Sequence, residues 1–130
     1  MPLLPIIAAA LASFAFGAVW YTLLARRWMA VSGVPLVDDA PANRSDPIPY
    51  LISLVGSVTA AAVLWNLFVA SGIEAPLRGL LTGLAVGLFL VSPWIATCYG
   101  FAARPRMLTL IDCGYATFGC GVMGLVLTLF

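Results

Sequence analysis

The chain has no histidine and no lysine, and only 8% of its 130 residues are charged. A water-soluble domain carries about 25% charged residues. This composition therefore excludes a surface that meets water over most of its area. The missing histidine removes imidazole as a ligand for haem, zinc or chlorophyll magnesium. It also removes the commonest general base. No paired acids stand inside the apolar segments, and no phosphate-binding glycine loop is present, so no catalytic set is visible and an enzyme is not expected. The three cysteines, Cys98, Cys113 and Cys120, lie inside apolar segments and lack the spacing of a metal site or a disulfide framework. They read as small, soft packing residues. No metal, cofactor or nucleic-acid partner is expected.

What is there is oil, at 63% of the chain. A membrane-crossing helix needs about 20 apolar residues. Residues 3–25, 47–73 and 79–103 carry no charge, and residues 107–130 carry only Asp112. Runs of this length favour helices over barrel strands, which alternate with period two over about 10 residues. The expected fold is all-α: an integral membrane four-helix bundle in a single domain over residues 1–130. The expected spans are about 3–25, 47–71, 76–100 and 107–130, with a long hydrophilic loop at 26–46. No Lys or Arg precedes the first run, and Arg26 and Arg27 follow it at once. That reverses the charge pattern of a signal peptide, so the first run reads as a retained span.

The arginines predict an orientation. Arg26, Arg27 and Arg44 lie between spans 1 and 2, Arg104 and Arg106 between spans 3 and 4, and only Arg78 in the middle connection. Positive residues favour the cytoplasm. The odd connections are therefore expected inside and both termini outside, on the periplasmic face of a bacterial inner membrane.

Breakers divide the chain further. "ARRWMAVSG" should continue span 1 as helix as far as Gly33, where Gly33 and Pro35 stop it. "LVDDAPANRSDP" reads as an irregular loop. Asp46 has the character of an N-cap, with Pro47 at the first helical position. Pro76 and Pro105 open spans 3 and 4. Pro93 lies inside span 3 and should kink it near Phe89.

Every span carries a row of small residues at intervals of four: Ala9, Ser13 and Gly17; Ser53, Ser57 and Ala61; Gly79, Gly83 and Gly87; Ala116, Cys120 and Gly124. Lipid tails are as apolar as leucine, so helices in a bilayer associate through close backbone approach, which such rows permit. Gly17, Gly79, Gly83, Gly87 and Gly119 are the glycines expected to carry this packing.

On a helical wheel Asp112, Tyr115, Ala116, Gly119 and Met123 share one face of span 4. Two of these are small, so the face suits a neighbouring helix and Asp112 should point into the bundle. An acid at the bilayer centre costs about 2.5–3.5 kcal/mol on the insertion scale, and less near the interface. Partners can offset that cost. At the same end stand Trp20 and Tyr21 with N–H and O–H donors, and Arg26, Arg27, Arg104 and Arg106, which can snorkel. Trp20 shares a face with Ser13 and Gly17 and should face inward. Tyr50, Trp94 and Tyr99 belong to the same half. The expected cluster is Asp112, Tyr115, Trp20, Tyr21, Arg26 and Arg27, acting as a structural latch between spans 4 and 1 or as a ligand site.

The runs "FGAVWYTLLARRW" and "LIDCGYATFGCGVMGLVL" resemble a bacterial family of small four-span membrane proteins known as domain of unknown function 1761. The most specific matches are Gly17, Ala18, Trp20, Tyr21 and Trp28, and then Asp112, Gly114 and Tyr115. The resemblance implies the four-helix architecture and no activity. The expected role is structural or accessory: packing among membrane lipids against other integral membrane subunits or against itself, with a respiratory or photosynthetic complex a conceivable host. The alternative is a small oligomeric proton- or cation-coupled transporter using Asp112.

Overall fold

The computed structural model describes residues 2–130. Helix α1 covers Leu3–Leu23 and is followed, after a break at Leu24 (φ −103°, ψ 12°), by α2 over Ala25–Ser32. Span 1 was expected to run unbroken towards Gly33; instead it stops at Leu23, and the helix restarts. Gly33 does end it, in the left-handed region at φ 74°, where a side chain would be strained.

The loop that follows is more ordered than its composition implies. Leu36–Val37 (β1) and Ala40–Pro41 (β2) pair antiparallel around Asp38 and Asp39, both at positive φ (52° and 59°). A two-residue hairpin turn of this kind needs positive φ at both central positions, and Asp tolerates it better than most residues. The expected irregular loop thus contains a minimal hairpin.

Helix α3 spans Pro47–Ser71. The Asp46 carboxylate accepts the Ile48 N–H at 3.0 Å, with Pro47 at the first position. Gly72 (φ 63°) closes α3, and the Ile73 N–H returns to the Phe68 carbonyl at 2.9 Å. This is the Schellman arrangement, which satisfies carbonyls the helix end leaves free.

The third span, Pro76–Phe101, is composite. Helix α4 (Pro76–Val86) gives way to a π-helical turn at Gly87–Val91 and then to α5 (Ser92–Phe101). The Ser92 N–H donates to the Gly87 carbonyl, five residues back. Pro93 supplies the cause: it has no N–H, and its ring would clash with the Phe89 carbonyl of a regular helix. Widening the turn by one residue relieves that clash. Helix α6 covers Arg106–Leu127.

Helix α6 is central. It packs along α1 on one side and along α4, the π turn and α5 on the other, while α3 packs mainly on α1. Small residues set the spacing. A side chain at Gly79 would strike the Gly124 carbonyl, one at Gly83 the Cys120 carbonyl, and one at Gly87 the backbone of Thr117 at 2.5 Å. On the other face, Ala9, Ser13 and Gly17 of α1 are all buried.

Ile6, Ala9, Ala10, Ala61, Leu64, Phe68, Met123 and Leu127 form the packed core. They come from the beginning of α1 and the ends of α3 and α6, so the core lies in the half nearer the chain termini. At the other end the Arg104 guanidinium donates to the Ser32 carbonyl, which ties the α5–α6 connection to the end of α2.

Candidate functional site

Two short motifs interlock where α1 crosses α6. The Tyr115 ring lies 2.7 Å from where a Cβ on Gly17 would stand, and the Trp20 ring lies 2.6 Å from the same point on Gly114. Each helix thus offers a glycine as the socket for the other's aromatic side chain. The Trp20 Nε1–H donates to the Ile111 carbonyl at 3.0 Å. Tyr21 and Tyr115 meet edge to face, with ring centroids 5.3 Å apart, a favoured aromatic geometry.

Asp112 stands beside this interlock. Its Oδ1 accepts the Tyr21 hydroxyl at 2.6 Å and its Oδ2 accepts the Tyr99 hydroxyl, also at 2.6 Å. Both distances fall at the short end of the range for hydroxyl donors. One carboxylate thereby joins α1, α5 and α6. Among the described residues its hydrogen-bond donors are phenols, and no arginine reaches it. Arg26 and Arg27 are exposed and lie outside the cluster. The break at Leu24 restarts the helix as α2 just before them, and a charged head favours water over a half-buried partner. Of the expected cluster, Tyr21 reaches Asp112 itself, while Trp20 and Tyr115 pack in the adjoining interlock. Tyr99, which the sequence places only in the same half as the cluster, is the second donor to Asp112.

The π turn explains Tyr99. In an uninterrupted α-helix, Tyr99 would point about 120° away from Gly87 at 3.6 residues per turn. Because the π turn absorbs one extra residue, the offset falls to about 20°. The face that packs Gly79, Gly83 and Gly87 on α6 therefore continues into Ser92 and Tyr99. Ser92 is buried, and its hydroxyl donates to the Cys113 carbonyl at 3.1 Å.

Beside Asp112 a cavity of about 770 Å³ opens between α3 and α5, with α1 and α6 as its floor. Asp112, Tyr115, Ala116, Gly119 and Met123, the face read from the wheel, all line it. Aromatic side chains crowd its Asp112 end: Tyr21, Trp28, Tyr50 and Tyr99. The opposite wall, on α3, is made of small residues such as Ser53, Gly56 and Ala60.

Four helices long and apolar enough to cross a bilayer, packed through glycines around one embedded carboxylate, define an all-α multi-pass membrane protein. The chain belongs to the family described as protein of unknown function (DUF1761), whose model matches residues 4–128. No curated protein and no solved structure matches it.

Proposed function

We propose that this protein is a structural or accessory component of a bacterial inner membrane, not an enzyme, and that it packs against other integral membrane subunits or against itself. The observation that carries this reading is the state of Asp112: each carboxylate oxygen is taken by a phenol from a different span. In that arrangement the acid is a latch that fixes α6 against α1 and α5. A respiratory or photosynthetic assembly is a conceivable host. Gentle detergent extraction of the native protein tests the reading. Stoichiometric companions, or a defined homo-oligomer, are expected; a lone monomer would count against it.

The orientation belongs to the same proposal. Arg26, Arg27, Arg44, Arg104 and Arg106 would lie in the cytoplasm and Arg78 outside, with both termini periplasmic. The bond from Arg104 to the Ser32 carbonyl supports it, because it gathers the two arginine-bearing connections at one end. Cysteines introduced at Arg44 and Arg78 should label from opposite sides of sealed vesicles.

A second reading is a small oligomeric proton- or cation-coupled transporter using Asp112. The cavity that reaches the carboxylate favours it, since an intramembrane acid beside a space is where a transported ion would exchange. Proton-coupled flux in liposomes, lost on Asp112→Asn, is its test.

A further inference from the structure

We propose that the cavity beside Asp112 is a binding site for a lipophilic organic cation, an ammonium or phosphonium group carrying apolar substituents. The inference does not depend on the accessory role. It would supply one step of the transport alternative but stands without any transport.

Charge comes first. A carboxylate in a low-dielectric setting needs a compensating cation or several hydrogen bonds. Asp112 has two hydrogen bonds, both from neutral phenols, and no cation among the described residues. The arginines at this end are exposed, and Arg104 is engaged at the Ser32 carbonyl. A carboxylate offers about four lone-pair positions, so two remain after Tyr21 and Tyr99 have bonded. The carboxylate keeps acceptor positions free for a ligand, and no arginine of the described residues hydrogen-bonds to it.

Surroundings select the kind of cation. Tyr21, Trp28, Tyr50, Tyr99 and Tyr115 all line the same space as Asp112. Aromatic faces attract cations, and cages of them recognise quaternary ammonium groups. A small metal ion would want several hard, charged oxygen ligands, whereas the only acid on this wall is Asp112, and the wall's other side-chain oxygens are neutral hydroxyls of Ser13, Ser53, Ser57 and the tyrosines.

Beyond the aromatics the wall turns mostly apolar, with serines among it. Val91, Ile95, Ala116, Gly119 and Met123 continue the space along α6 away from the acid. From Asp112 to Met123 the helix rises about 16 Å, which gives room for apolar substituents. The volume, about 770 Å³, lies within the range of about 300–1,000 Å³ typical of small-molecule sites. A neutral acyl chain could fill the apolar part but would leave the carboxylate uncompensated, and charge complementarity therefore favours the cation.

Titration calorimetry of the full chain in a non-ionic detergent tests this, with tetraphenylphosphonium as probe and tetraphenylborate as its anionic counterpart of the same shape. Saturable binding of the phosphonium and none of the borate is expected. Asp112→Asn, whose amide can still bond to both phenols, should weaken binding at least tenfold. Gly56→Leu gives a second variant, on α3: a side chain at Gly56 meets nothing within 4 Å and Gly56 lines the cavity, so the chain should fold while the added bulk weakens binding of the probe. Thermal unfolding confirms that each variant is folded. Equal binding of both ions, undiminished binding by the folded variants, or no saturable binding by the wild type would each overturn the proposal.

Discussion

Tyr115 of α6 fills the space that a side chain on Gly17 of α1 would need, its ring 2.7 Å from the absent Cβ. Trp20 and Gly114 repeat the arrangement with the helices exchanged. Tyr21 and Asp112 then close a hydrogen bond beside the two sockets. The three pairs run antiparallel and fix one register. A slip by a single residue would drive a ring into a backbone and part the phenol from the carboxylate. In lipid, where apolar burial does not favour one register over another, such steric and polar pairs are what can specify it.

Adding a methyl group at either socket should therefore be costly. Gly17→Ala and Gly114→Ala are expected to destabilise by about 1–3 kcal/mol, the usual range for overpacking. Gly56→Ala, where nothing stands within 4 Å, should be neutral or gain up to about 1 kcal/mol from helix propensity. Unfolding in detergent measures all three. Trimming the opposing ring in Gly17→Ala/Tyr115→Leu should recover part of the loss, giving a coupling of about 0.5–3 kcal/mol in a double-mutant cycle.

The π turn makes a separate claim about phase. Deleting Phe89 in a Pro93→Ala background removes both the extra residue and the ring that requires it. Gly87 and Tyr99 then keep a common face on a regular helix, so the unfolding midpoint should stay near that of Pro93→Ala alone. Deleting Ala96, outside the π turn, rotates Tyr99 by about 100° relative to Gly87 and should lower the midpoint by several degrees. Equal effects from both deletions would show that the turn sets no phase.

That same turn marks where the sequence stopped being readable. The spans were legible because apolar runs of bilayer length have few alternatives. The inward face of α6 was legible because 100° per residue holds throughout that helix. Tyr99 was not, because phase cannot be carried across a π turn whose position only packing decides. Pro93 announced a distortion near Phe89 and left its kind open. The hairpin at Asp38 and Asp39 was missed since Asp-Asp is a weaker signal for that turn than Asn-Gly or Asp-Gly. Arg26 and Arg27 were expected beside Asp112 because linear proximity to Tyr21 says nothing of the break at Leu24. Tyrosines, which bring donors without a second charge to desolvate, took that place.

Ala103 links α5 to α6 with φ 53°, a left-handed conformation unusual for alanine. The Arg104 N–H returns to the Tyr99 carbonyl at 2.9 Å and the Ala103 N–H to the Gly100 carbonyl at 3.2 Å, the Schellman pattern in which glycine is usual. Ala103→Gly should stabilise the protein by about 0.5–1 kcal/mol, because relief of the Cβ clash outweighs the added freedom of the unfolded chain. Thermal unfolding checks the sign, and a loss would mean that the Ala103 methyl makes packing contacts of its own.

The latch on Asp112 separates charge from hydrogen bonding. In Asp112→Leu both phenols lose their acceptor, and an unpaired buried donor costs about 1–3 kcal/mol. Lipid-embedded proteins find alternative partners more readily, and measured couplings between their helices average about 0.6 kcal/mol. The expected loss for leucine is therefore about 1–3 kcal/mol. Asn can accept from one phenol through its carbonyl and donate to the other hydroxyl through its amide, so Asp112→Asn should lose less than half as much. Tyr21→Phe and Tyr99→Phe remove one bond each and should fall between wild type and leucine. Their effects should also shrink sharply in the Asp112→Leu background, where the acceptor is already gone. Unfolding of these variants in one detergent supplies the whole comparison. If leucine and asparagine match wild type, the tyrosine–carboxylate bonds hold nothing together, and Asp112 must be present for a ligand alone.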